Sequence, residues 1–364
     1  MAFNFPGQLP CQVIVKHDRH NACSGCNQQP GKYQVSYHGP LTMDHNVWLR
    51  FQRGISVLYK MLDLVISARD AAIAPGMAVR RILPFRLRRM VGPFIFMDHA
   101  GPVTVAPENL SNMDVLPHPH IGLSTVSYLF DGEVMHRDST GVEQIITPGE
   151  VNWMTAGRGI AHSERFEDPR VLKGGKMEMI QTWVALPEKD EETLPAFNNY
   201  KKDQLPVYTD TGVWMRLIAG SAYGLSNSVK THSPLCYLHA KVEAGAKIGL
   251  PNEHGECAIY VAKGSVEVSG NVYSPGQMLV FTKGPEPMIV AKEPTTLMVL
   301  GGEPLGERFI WWNFVSSRRD RIEQAKEDWK AGRIQLPPTD NQEFVPLPKD
   351  KFKPAGGAAP QALS

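Results

Sequence analysis

Two short stretches carry side chains of the types that bind transition metals. His118-Pro119-His120 and His162-Ser163-Glu164 each place two such residues at i and i+2. On a β-strand that spacing points both side chains to one face. If the two strands lie close in one sheet, three imidazoles and one carboxylate meet at one point. Such a set suits a borderline first-row ion: Fe(II), Mn(II), Ni(II) or Zn(II). Four ligands around an octahedral ion leave two positions for substrate or O₂. The plainer alternative is two unrelated polar pairs on a solvated surface. The ordered turn signals between the pairs weigh against it.

Those signals begin with Gly122 and the run Thr125-Val126-Ser127-Tyr128-Leu129-Phe130, followed by a turn at Asp131-Gly132. Pro148-Gly149-Glu150 marks a second turn, Val151-Asn152-Trp153-Met154 a further strand, and Ala156-Gly157-Arg158-Gly159 a tight loop before His162. The stretches HPHIGLSTVSYLFDGEVMHRDS and PGEVNWMTAGRGIAHSE, with VGPFIFMDHAGP before them and QTWVALP after, resemble the pirin family of the cupin superfamily. The resemblance covers residues 62–316. It implies an all-β bicupin: two cupin-type antiparallel β-barrels (double-stranded β-helices), here with a short C-terminal helix. It also implies Fe(II) at a site held by His118, His120, His162 and Glu164, although the ligand set alone accepts other divalent first-row metals. The one enzymatic activity it implies is ring-opening dioxygenation of a flavonol, as in quercetin 2,3-dioxygenases. Glu164 would then be both ligand and catalytic base for the flavonol 3-hydroxyl. A different class of function stays open beside it. Some pirins look like non-catalytic, iron-dependent redox regulators that bind a transcription factor or a metabolic enzyme. A third reading is a barrel that the metal merely stabilises.

The second half repeats the first in outline. Glu253-His254-Gly255-Glu256, the turns at Lys263-Gly264 and Gly270-Asn271, and Pro275-Gly276-Gln277 follow the same order. Asn252 stands two positions before His254, where a second histidine would complete the pair, and no His-x-Glu follows Phe281. A metal-free second barrel is expected. The expected organisation is an extension without fixed structure over 1–61, an N-terminal barrel with the metal site over 62–187, a linker over 188–206, the C-terminal barrel over 207–316, a helix over 317–334, and a disordered tail over 335–364. Ser316-Ser317 is suited to cap the helix, whose apolar face is Ile322, Ala325 and Trp329.

Other residues near the pairs have competing readings. Asp98 either orients a ligand histidine or caps a turn. His136 is either a pocket residue or a satisfied structural histidine. Arg158 binds a substrate anion or bonds loop carbonyls. Phe96, Trp153 and Met154 are candidates for an apolar wall or plain core. The basic stretch Arg80–Arg89 reads as a solvated strand or loop guarded by charge, since it lacks the aromatic interleaving of a nucleic-acid surface.

Composition bounds the rest. A 364-residue chain with net charge +1 has no global field to draw it to nucleic acid or to a membrane surface. Three of the five cysteines lie in the first 26 residues, and Cys23-Ser24-Gly25-Cys26 is a lone CxxC, read as incidental. No apolar run approaches the roughly 20 residues of a membrane span, and the N-terminus lacks a secretion pattern. The expectation is a cytoplasmic monomer that takes a small aromatic substrate, or else a protein partner.

Overall fold

The computed structural model describes residues 62–349, other than 167, 169–173 and 283–286. The extension over 1–61, with its CxxC, and the last part of the expected tail lie outside the described residues. Among the described residues the structure is mostly strand, with one α-helix, α1 (Arg319–Lys330), near the C-terminal end. No helix among the described residues is long and apolar enough to cross a membrane.

Twelve strands lead to the end of the first half: β1 (Leu62–Ser67), β2 (Arg69–Ala74), β3 (Met77–Leu83), β4 (Phe94–Val105), β5 (Val115–His120), β6 (Leu123–Asp131), β7 (Val134–Asp138), β8 (Glu143–Ile146), β9 (Val151–Thr155), β10 (Ile160–Arg165), β11 (Gly175–Ala185) and β12 (Ala196–Tyr200). Seven form one sheet in the order β12-β9-β6-β11-β4-β3-β2. The sheet β5-β10-β7-β8 forms the other wall and carries the histidine pairs.

The second half is built on the same plan. Strands Gln277–Thr282, Glu256–Lys263, Thr295–Gly302 and Leu235–Val242 are successive neighbours in its large sheet, matching β9-β6-β11-β4, and a second four-stranded sheet belongs to the same half. The duplication expected from the turn pattern is therefore a bicupin fold.

The two large sheets share a core. Val126, Tyr128, Ile180 and Val184 pack in one buried cluster with Tyr237, Tyr260, Met278 and Leu300. This explains why the central strands read as apolar almost throughout. Alternate residues of β11 go to opposite faces. Ile180 and Val184 enter the shared core, while Met179, Gln181 and Trp183 line a cavity inside the first half.

Several segments differ from the sequence expectation. β1 does not join the first sheet; it pairs with Gln277–Thr282 of the second. Inside the stretch read as a linker, β12 pairs with β9 and extends the first sheet. α1 begins after Arg318, which has no side-chain cap; Ser316 Oγ instead accepts the Arg318 N–H at 3.1 Å. The expected face of α1 holds: Ile322, Ala325 and Trp329 are buried with Ile121, Ala161 and Phe314.

Residues 335–349, expected to be part of a disordered tail, are a strap packed on the first half. Asp340 accepts hydrogen bonds from Arg165 Nε and Nη2 at 2.7 and 2.6 Å and from Ser163 Oγ at 2.6 Å. The Val345 N–H donates to Pro117 O at 2.8 Å, and Val345 O accepts from the Trp329 indole at 3.1 Å. The Pro, Gln and Asp content of this strap hides its anchors, which are Arg165, Ser163 and the Pro117 carbonyl far away in the chain and the Trp329 indole on α1.

Candidate metal centre

Register makes the site. β10 runs antiparallel to β5 with His162 opposite His118 and Ile160 opposite His120. Because side chains alternate, His118, His120 and His162 all enter the barrel, while Ile121 and Ala161 pack beneath α1. One ring nitrogen from each of the three imidazoles lies within 4.8 Å of the other two. The ring centroids are 4.4 Å apart for His118 and His162, and 5.0 Å for His120 with either neighbour.

The sharp turn before β10 keeps this register. Gly157 has φ +51°, and a Cβ there would stand 2.0 Å from Thr193 O. Gly157 O accepts the Gly122 N–H at 2.8 Å, which ties the loop to the end of the first histidine strand.

Backbone carbonyls orient two of the rings. His118 Nδ1 donates to Leu116 O at 2.9 Å, and His120 Nδ1 donates to Asn313 O at 3.2 Å. Both bonds leave Nε2 with its lone pair free, the state that a metal ligand needs. Neither nitrogen of His162 has a hydrogen-bond partner, although both are buried. Buried polar atoms are nearly always satisfied, so orphaned nitrogens facing two free Nε2 atoms fit a cation.

Glu164 stands beside this group rather than in it. Its Oε1 is 3.4 Å from His162 Nδ1, and its Oε2 is buried without a partner. A register shift between β5 and β10 sets Glu164 opposite Val115. The carboxylate therefore lines the cavity near the triad, free to turn toward a bound ion or to hold the His162 ring.

Electrostatics agree with this chemistry. Burial lowers the His118 pKa to about 4 and takes His120 and His162 well below the usual histidine range, helped by the neighbouring rings. All three are neutral at pH 7, as ligation requires. Burial raises the Glu164 carboxyl to about 8. A divalent ion beside it would supply the missing positive charge and favour ionisation.

The triad opens into a cavity of about 430 Å³, a size typical of small-molecule sites. Phe96 and Trp183 stack at 4.0 Å on its wall, and Trp183 meets His120 edge-on at 5.2 Å. Gln181 also lines it and accepts the Ser127 hydroxyl at 2.6 Å. Trp312, Asn313 and Val345 enter from the C-terminal segment.

The remaining sequence candidates fall as follows. Phe96 is wall. Met154 packs behind Phe96 and Trp183, and Trp153 belongs to the core between the halves. Asp98 orients no histidine: it is buried and holds Arg81 through two bonds of 2.9 and 2.7 Å. His136 Nε2 bonds Asp138 at 3.1 Å and its ring stacks on Phe197, the structural outcome. Arg158 is exposed and lines no part of the cavity. In the second half, His254 Nε2 donates to Ser221 O at 2.9 Å.

Comparison with known proteins follows this anatomy. The pirin family profile matches residues 76–184, and that of the pirin C-terminal cupin domain matches 237–335. A pirin-like protein of Caulobacter vibrioides is 53% identical over 290 residues, covering 79% of this chain and 100% of that protein. The chain belongs to the pirin family. Human pirin is 30% identical over 75% of this chain and 93% of its own length. Among solved structures, a quercetin 2,3-dioxygenase from Acinetobacter baumannii superposes with a TM-score of 0.73 at 32% identity, covering 82% of this chain and 99% of that one. The pirin motifs read in the sequence thus coincide with the strands and loop that assemble the histidine triad.

Proposed function

We propose that this chain is a pirin-type, metal-dependent dioxygenase of enolic aromatic compounds, with ring opening of a flavonol such as quercetin as its reference reaction. The observation that carries the proposal is the triad: three buried neutral imidazoles at the floor of an open, aromatic-walled cavity. The A. baumannii relative, whose structure is that of a quercetin 2,3-dioxygenase, supports the choice of reaction.

His118, His120 and His162 hold the ion, with Glu164 as the fourth ligand or its close neighbour. Fe(II) is the proposed metal, and the donor set suits other first-row ions too. The bound ion supplies Lewis acidity toward a substrate hydroxylate and redox chemistry toward O₂.

The protein's own part is positioning and proton handling. Phe96 and Trp183 offer a flat apolar surface to a substrate ring. Glu164, the carboxyl beside the triad, takes the proton of the substrate hydroxyl.

The test is oxygen consumption by anaerobically Fe(II)-loaded protein on addition of quercetin, with His118→Ala as control. Uptake by wild type alone supports the proposal. No uptake by protein shown to contain iron overturns it.

A further inference from the structure

The cavity has a second chemical feature away from the triad. Arg69 on β2 and Arg81 on β3 stand directly opposite one another in the antiparallel register, and both line the cavity. Like charges directly opposite across a strand pair repel. One carboxylate relieves them. Asp98 binds Arg81 through its Nε and Nη2 atoms and feels the charge of Arg69. Arg69 makes no ion pair among the described residues, and the Arg81 Nη1 atom is left without a hydrogen bond. Arg81 is also held in place, because its guanidinium lies 4.7 Å from the centre of the Phe96 ring.

The charges of the cavity then do not close on their own. Arg69 and Arg81 share one carboxylate, Asp98, so this wall of the cavity keeps one uncompensated positive charge apart from whatever balances an ion at the triad. A neutral flavonol whose hydroxyl proton passes to Glu164 brings no negative charge to this wall, because the proton stays in the cavity. We propose that the substrate is an aromatic compound bearing a carboxylate in addition to the oxygen it presents to the metal site. The Arg69 fork and the free Arg81 Nη1 grip that carboxylate. Planar guanidinium forks match carboxylates in geometry as well as charge. This inference rests on the metal-site proposal above and adds the charge of the substrate.

The experiment is direct binding, measured by calorimetry on zinc-loaded protein, which is redox-silent. The probes are 3,4-dihydroxybenzoate and its methyl ester, which share the metal-binding diol and differ in the anionic group. The wild type is expected to prefer the acid by about tenfold, as for charged hydrogen bonds at a half-exposed site. Arg69→Gln, at an exposed position, should bring that preference to within about twofold while leaving the ester's affinity alone. Arg81→Lys keeps a charge for Asp98 and should lower the preference by a smaller factor. Equal binding of acid and ester by the wild type, or a preference that survives Arg69→Gln, overturns the carboxylate assignment and leaves the metal-site proposal standing. Failure of both probes to bind protein shown to hold zinc overturns the carboxylate assignment alone, whereas protein that holds no zinc overturns the metal-site proposal with it.

Discussion

His118 and His162 face each other directly across two antiparallel strands, their ring centroids 4.4 Å apart, although 44 positions separate them in the chain. Neither ring spends its inward nitrogen on the protein. The rest of the first half serves this juxtaposition: the Gly157 loop sets the register, carbonyls set two tautomers, and aromatic residues wall the approach.

Glu164 offers a prediction that separates chemistry from folding. Without a metal, burial favours its protonated form. Glu164→Gln mimics that form in shape and charge, so the melting temperature of metal-free protein should stay within about 2 °C, a surface-like effect. Fe(II)-dependent oxygen uptake should fall by about 100-fold, the usual scale for loss of a general base. Full activity in this variant would remove the proposed base role.

The metal should stabilise the fold. An ion that binds only the folded chain adds about 2.7 kcal/mol at a hundredfold excess over its Kd, or roughly 5 °C in a chain of this size. Calorimetric scans of chelated and reconstituted protein measure it. Coincident transitions would mean that no ion engages the buried nitrogens.

Gly157→Ala tests the loop. The substitution puts a Cβ against Thr193 O in a left-handed conformation. The expected cost is at least about 2 kcal/mol, seen as a lower urea midpoint, with weaker metal retention because the register of β10 slackens. An unchanged midpoint would show that the loop does not constrain the site.

The strap should respond to acid. Burial tends to raise the Asp340 pKa, but hydrogen bonds from Arg165 and Ser163 and the charges of Arg165 and Arg137 outweigh it and hold it below the ordinary value. A depressed folded pKa contributes stability above the unfolded value of about 3.9 and loses it as pH falls through the folded one. The strap should therefore hold at neutral pH and release below about pH 4. Asp340→Asn should free it at all pH values, at a cost of about 1–2 kcal/mol. Proteolysis near Val345 reports the release. Equal cleavage of both proteins at pH 7 would contradict this role for Asp340.

How much was legible in the sequence follows from distance along the chain. The histidine pairs were readable because the strand period of two is local, and the turns that return β10 to β5 carry Gly and Pro. The bicupin fold was readable because the same turns recur in the second half. Trp153 and Phe96 looked alike because strands buried on both faces do not reveal which face meets the cavity. Asn313, which orients His120, and Asp340, which anchors the strap, act on residues more than 170 positions away, and no local pattern announces them. Neither of the two readings left open for Asp98 holds, since its partner Arg81, only 17 positions away, is set by the pairing between β3 and β4 and not by any local pattern.

The most direct test is metal content. Wild type, His162→Ala and His254→Ala are each loaded anaerobically with Fe(II), desalted and assayed by elemental analysis. The expected result is about one ion per chain in wild type and His254→Ala, and nearly none in His162→Ala, since a lost ligand removes most of the affinity. Equal iron in wild type and His162→Ala would contradict a metal centre at the triad.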